Sequence, residues 1–298
     1  MTTTEKRHQL PSTTEPPREM TSRTVWWFFA LTFGLGWGIA APMTIFMDQI
    51  EAVFGEMSGT NPVFILVVWS PAIAALALVW KHYGRLGVVR FLRRLTLWRM
   101  PSPWWLLLLL GIPAVKYLGA AFNGTAGDFP FSPWHGVIPA LAIALIIGPV
   151  EELGWRGVAL PLLQRRYAPL WSSLILGAFW GVWHAPAFLL SGSPQSAWSF
   201  GPYLIGVLSL SVIITPLFNA AHGSILMAAL FHFQINGPAW PDAQPWENYL
   251  FAAVAIAVVV LNRKAMLTRA NAVTDVLMPD TGTDVTEHQE RVSTDRRA

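Results

Sequence analysis

No cysteine occurs among the 298 residues, which removes disulfides, thiolate metal ligands and a cysteine nucleophile together. Charge is nearly as scarce. Asp, Glu, Lys and Arg make up 12% of the chain, against about 25% in an ordinary soluble domain. Four stretches, 48–61, 123–135, 191–199 and 238–247, hold no Lys or Arg at all. What fills the chain instead is apolar: hydrophobic residues reach 53%, there are 16 Trp, and the mean hydropathy is +0.44. These proportions belong to a protein that lives in lipid.

Hydropathy divides the chain into eight candidate spans, near 25–47, 62–80, 103–122, 136–163, 171–190, 200–218, 224–237 and 248–262. Most approach the ~20 residues that a helix needs to cross a bilayer. The fourth is long and the seventh short, so seven spans with a re-entrant segment is the competing count. The predicted fold is all-α, a polytopic helix bundle with its membrane-embedded domain at 25–264.

The basic residues test that topology independently. With a cytoplasmic N-terminus, the inner segments hold Lys6, Arg7, Arg18 and Arg23, then six residues from Lys81 to Arg99, then Arg165 and Arg166. Six more follow from Arg263 onward, whereas the four outer loops carry Asp48, Glu51, Glu56, Asp128, Asp242 and Glu247 and no cation. Such asymmetry places both termini in the cytoplasm. The basic loop between Lys81 and Arg99, with Phe91 and Trp98, is what topology requires and would attract anionic headgroups; no nucleic-acid partner is expected. Trp26, Trp27, Trp104 and Trp105 sit at span ends as interfacial anchors.

Residues 1–24 are polar and proline-containing, without the apolar core of a signal peptide. They and residues 265–298 lack apolar periodicity, and both are expected to be disordered cytoplasmic tails.

Against this background Glu151-Glu152-Leu153-Gly154-Trp155-Arg156 stands out, a charged cluster within an apolar span. A charge at the bilayer centre costs roughly 2.5–3.5 kcal/mol on insertion scales, so such a cluster marks function by default. Four residues apart on a helix, Glu152 and Arg156 share a face and can pair. Glu151 points about 100° away, free for another partner. Two further apolar runs carry Trp180-Gly181-Val182-Trp183-His184 and His232-Phe233-Gln234-Ile235-Asn236, each with a spacing of four. Trp180 should therefore stack over His184, and His232 should share a face with Asn236. At ~1.5 Å per residue, Glu151, His184 and His232 lie roughly 20, 21 and 15 Å above the cytoplasmic boundary. An acid and two imidazoles at one depth suggest hydrolysis inside the membrane.

Each group also has a bland reading. The Glu152 and Arg156 pair could be interhelical glue, a lone histidine a satisfied hydrogen bond, and Asn236 before Gly237 and Pro238 a helix cap. His135 and His222 read as loop residues. Other hydrolase chemistries are absent: there is no His-Glu-x-x-His, no Gly-x-Gly-Asp and no Gly-x-Ser-Gly, and Ser224 beside His222 has no acid partner in sequence reach. A proton-coupled transporter, with polar groups along a pathway, and a non-catalytic membrane scaffold are the rival classes.

Glu-Glu-x-x-x-Arg, an aromatic residue four before His, and His-x-x-x-Asn, in that order, resemble the CPBP intramembrane proteases, which include Rce1-type CAAX prenyl endopeptidases and bacterial Abi proteins. The likeness covers about 145–240. It implies that Glu151 and His184 activate a water while His232 and Asn236 stabilise the oxyanion, with Glu152 and Arg156 in support. It implies alternatively that Glu151, His184 and His232 ligate zinc. The implied partner is a membrane protein or peptide, with or without a prenyl group, and the implied location a bacterial plasma membrane. One departure is visible: the family motif is usually Phe-x-x-x-His, and Trp180 stands at the Phe position. A larger aromatic should keep the stacking and narrow the pocket.

Overall fold

The computed structural model describes residues 19–56 and 58–278. Among them every regular element is helical, as the sequence predicts, because a helix satisfies its own backbone hydrogen bonds where no water is available. The elements are α1 (Thr24–Ile45), α2 (Met47–Phe54), α3 (Pro62–Leu92), α4 (Ser102–Asn123), α5 (Val137–Ile146), α6 (149–164), α7 (Pro169–Trp183), α8 (Phe200–Ala220), α9 (Ile225–Ile235), α10 (Trp246–Leu261) and α11 (Arg263–Leu267). Six helical stretches among the described residues are long and apolar enough to cross a bilayer. The remaining two expected spans are the shorter apolar helices α9 and α10, of 11 and 16 residues.

The helices start where the sequence offers caps. Asn61 precedes Pro62, and its side-chain oxygen accepts from the Val63 and Phe64 amides at the head of α3. Ser224 does the same for Met227 at the head of α9. Each satisfies an amide that the first helical turn leaves without a partner.

α8 packs between α7 and α10, and α1 lies along α3. An aromatic stack then fixes α6 against them. Phe29 of α1 stacks on Phe179 of α7 with centroids 3.9 Å apart, and Trp155 of α6 meets Phe28 at 5.4 Å and Trp183 at 5.9 Å edge to face. Such pairs add about 0.5–1.5 kcal/mol each beyond their buried area. Where α6 crosses α3, Gly154 is required: a Cβ there would lie 2.6 Å from the Pro71 carbonyl oxygen. Close backbone approach through small residues is how helices pack in lipid.

The long fourth span is not one helix. α5 ends at Ile147, whose backbone is extended, and Gly148 turns the chain with φ 91° before α6 begins. A π-type widening over Trp155–Ala159 follows, a feature often found at functional sites. The break puts Glu151 in the first turn of α6 rather than mid-helix.

The tail boundaries also shift. Residues 19–24 and 265–278, assigned from sequence to disordered ends, pack onto the basic end of the bundle. Gln164 donates to the Val273 carbonyl, Arg165 to Thr274, Arg94 to Val276 and Arg90 to Met278, at 2.7–3.1 Å. Arg165 also reaches the Met20 carbonyl. The segment lacks apolar periodicity because it is held by its backbone carbonyls, which every sequence possesses. The rest of both predicted tails lies outside the described residues.

Candidate functional site

α6, α7 and α9 bring the predicted residues together. Glu151 is 3% exposed, and its Oε2 accepts the indole N–H of Trp180 at 2.9 Å and of Trp155 at 3.1 Å. No described residue donates to its Oε1. Glu151 was expected to face away from Glu152 toward a separate partner, and it does. That partner is a pair of tryptophans, one four residues along the same helix and one from α7.

Glu152 has no exposure, and its Oε1 bridges two cations or potential cations: Arg156 Nη1 at 3.0 Å and His232 Nδ1 at 2.7 Å. The i,i+4 pair is as the spacing predicts. The link to His232, 80 residues away, is new. It fixes the ring so that Nε2 is the nitrogen left for the cavity. Arg156 is also fully buried, and its guanidinium carbon lies 4.5 Å from the Trp180 ring centre, a cation–π contact of the kind that reaches about 2 kcal/mol when desolvated.

His184 closes α7. Its Nδ1 is 2.8 Å from the Trp180 carbonyl, which can only accept, so Nδ1 carries the proton and Nε2 its lone pair. Trp180 and His184 are in contact but tilted, at 6.0 Å and 58°, rather than stacked. Trp180 instead meets His232 edge to face at 5.3 Å.

Asn236 follows α9 in the C-cap position, with its backbone N–H on the His232 carbonyl, so the capping and the site readings hold together. Its side chain meets His232 across Gly148. A Cβ on Gly148 would fall 2.5 Å from Asn236 Nδ2 and 3.1 Å from His232 Nε2. Two nitrogens thus converge on a space kept open by a missing side chain, at a φ that only glycine adopts without strain. Sequence reading passed over this residue, although the Gly148–Pro149 dipeptide inside an apolar run is a standard breaker signal.

A cavity of about 650 Å³ opens over this arrangement, lined by Trp180, His184, His232 and Asn236, with Tyr203 and Trp198 above. Glu151 is not in the lining and stands behind Trp180. Lys116 of α4 also lines the cavity and pairs with Glu247 at 2.6 Å.

The expected metal set does not meet on one point. Among the described residues no three His, Asp or Glu side chains are placed to share an ion, Glu151 Oε2 is taken up by two indoles, and His232 Nδ1 by Glu152. As placed, these residues do not fit a resident metal.

Trp180 also explains the departure from the Phe-x-x-x-His pattern. Phenylalanine would fill the space but could not donate to Glu151. Hydrogen bonds to charged groups contribute about 1.5–3 kcal/mol, and Trp155 supplies a second. Trp180→Phe, which removes one of the two donors to Oε2, is expected to lower the thermal midpoint by a few degrees, read from thermal unfolding of the purified variant.

Residues 133–237, which contain all the site residues just described except Lys116 and Glu247, match the family model of the type II CAAX prenyl endopeptidase Rce1-like proteins. Over 180 residues the chain is 31% identical to the CAAX prenyl protease 2 of Methanococcus maripaludis, covering 55% of this chain and 64% of that protein. The chain thus spans less than two thirds of that relative's length.

Proposed function

We propose that this chain, Rce1-like over residues 133–237, is an intramembrane endopeptidase. The observation that carries the reading is the convergence of His232 Nε2 and Asn236 Nδ2 on the space beside Gly148, in a cavity that His184 also lines.

A water held at His184 Nε2 and reached by the remaining carboxylate oxygen of Glu151, Oε1, attacks the carbonyl carbon of the scissile peptide, and Glu151 takes the one proton that it gives up. The carbonyl oxygen becomes an oxyanion beside Gly148, where it accepts from Asn236 Nδ2 and His232 Nε2. Donors of this kind contribute roughly 3–4 kcal/mol each in other proteases. To donate through Nε2 while Nδ1 faces Glu152, His232 must carry both ring protons; Glu152 supplies the counter-charge. The proton then passes to the leaving amine. Water attack needs no metal in this scheme.

The substrate is a membrane protein or peptide. The archaeal relative is named a CAAX prenyl protease, which makes prenylated CAAX peptides the first to assay. The bacterial assignment of the membrane rests on the likeness of Glu151–Gly157 and Leu162–Arg166 to bacterial members, since that relative is archaeal.

The test is hydrolysis of internally quenched peptides by purified protein in detergent or lipid. Exhaustive chelation is expected to leave the rate unchanged. A rate that falls on chelation and returns with zinc would reject metal-free activation of water.

A further inference from the structure

We infer that the groove between the start of α1 and the part of α3 before its kink at Gly84 binds one anionic phospholipid, with the phosphate held by Arg23 and Lys81 and an acyl chain laid along Trp27 and Leu31.

The groove holds a second cavity, of about 560 Å³, lined by Arg23, Trp27 and Leu31 on one side and by Leu78, Lys81 and His82 on the other. It shares no residue with the cavity over His184, and its size falls among those of ordinary ligand sites, about 300–1,000 Å³. The two cations are distant in sequence and are brought together by a fixed piece of backbone. Met20, just ahead of α1, is buried; its amide donates to Tyr83 Oη at 2.9 Å and its carbonyl accepts from Arg165. This ties the entry to α1 across α3, so that Arg23 stands beside Lys81 before any ligand arrives.

The lining specifies the ligand. Arg23 and Lys81 pair with no carboxylate among the described residues, and no acid lines the cavity. Thr21 and Thr24 add hydroxyls at the same place. An anion is therefore favoured, whereas the ammonium of a zwitterionic headgroup would bring a further positive charge to two that are already unbalanced. Beyond the cations the surface is hydrocarbon. Leu78 is buried and forms the floor, while Trp27 and Leu31, four apart and so on one face of α1, are exposed. Leu31 lies ~12 Å along the helix from Arg23. Cations at the polar end of a membrane-spanning helix, followed by an apolar trough running along it, have the order of a phospholipid rather than of a soluble phosphate. Clustered basic residues beside a span attract anionic lipid in general; here a shaped cavity gives that attraction one address. The site also abuts the aromatic stack, since Phe28 and Phe29, next to Trp27, pack on Trp155. A lipid that bridges α1 and α3 stabilises the folded bundle by mass action.

The test equilibrates the detergent-purified protein with equal amounts of dioleoyl phosphatidylglycerol and dioleoyl phosphatidylcholine and reads retained lipid by native mass spectrometry. The protein is expected to keep one phosphatidylglycerol at least tenfold in preference to phosphatidylcholine, and Arg23→Gln with Lys81→Gln to lose that preference. Arg263→Gln with Lys264→Gln, which removes the same charge from exposed positions of α11, should keep it. Phosphatidylglycerol should raise the thermal midpoint of wild type and of the α11 variant but not of the groove variant. Equal retention of the two lipids by wild type overturns the inference, as does an equal loss in both double variants, which would mean diffuse attraction to a basic surface. Soluble glycerol phosphate raising the midpoint as much as the lipid, or a dimer or bound peptide found in place of the lipid, also overturns it. Should the groove double variant not fold, Lys81→Gln alone is expected to retain at least threefold less phosphatidylglycerol, and unchanged retention overturns the inference.

Discussion

Glu151→Gln is expected to lower kcat by about 10²–10⁴, the range that a positioned general base contributes, while the protein remains folded. The structure makes this substitution unusually clean. The glutamine oxygen can still accept from the indoles of Trp155 and Trp180 that now hold Oε2, so the first turn of α6 keeps its place. What disappears is the ability to take a proton. Removal of a buried charge with its hydrogen bonds intact should leave the thermal midpoint equal to or above that of wild type. His184→Ala should give a comparable loss, and the double variant little more than either single one, because groups acting on one water do not contribute independently. Wild-type turnover by Glu151→Gln in a purified, metal-free preparation would end the assignment of the base. A loss of activity accompanied by a collapsed midpoint would instead make Glu151 a packing residue.

The second large effect concerns stability. Arg156→Met is expected to destabilise the protein by about 3–5 kcal/mol, the penalty for stranding the partner of a buried ion pair. In a chain of this size that lowers the midpoint by roughly 6–20 °C. Glu152 has no exposure, and its Oε2 has no donor even in the intact protein. Without Arg156, it would face only His232. Arg156 itself leaves Nε and Nη2 unpaired in the core, so the pair is far from a fully satisfied network, and its members depend on each other. The double variant Glu152→Gln, Arg156→Met should therefore recover most of the lost stability, since a neutral amide beside a methionine leaves no unpaired charge. Its activity should not recover, because His232 would lose the carboxylate that supplies its counter-charge. Thermal unfolding in detergent, read alongside peptide hydrolysis, separates the two roles. A single variant as stable as wild type would show that water reaches Glu152.

Much of this site was visible in the sequence because the chemistry is sparse. In a chain with 12% charged residues, a Glu-Glu-x-x-x-Arg run in lipid cannot be a solvated face, and the i,i+4 pairing of Glu152 with Arg156 follows from helix geometry alone. Helix spacing is local, however, and the decisive contacts are not. The hydrogen bond from Trp180 to Glu151 joins residues 29 apart, and that from His232 to Glu152 joins residues 80 apart. Neither leaves a periodicity to read. Trp180 looked like a bulky substitute for phenylalanine, and only its orientation makes it a donor.

The amino-acid sequence by itself determined that the protein is an all-helical membrane bundle, which face of it is rich in cations, and which acid, imidazoles and amide belong together. These follow from hydropathy, charge and spacing, which act over one or a few helical turns. The tertiary structure alone decided that the fourth span breaks at Gly148, that two indoles hold Glu151, and that Glu152 serves His232 as well as Arg156. The break and these contacts depend on which helices touch and at what angle, a matter of packing between segments that no local pattern encodes.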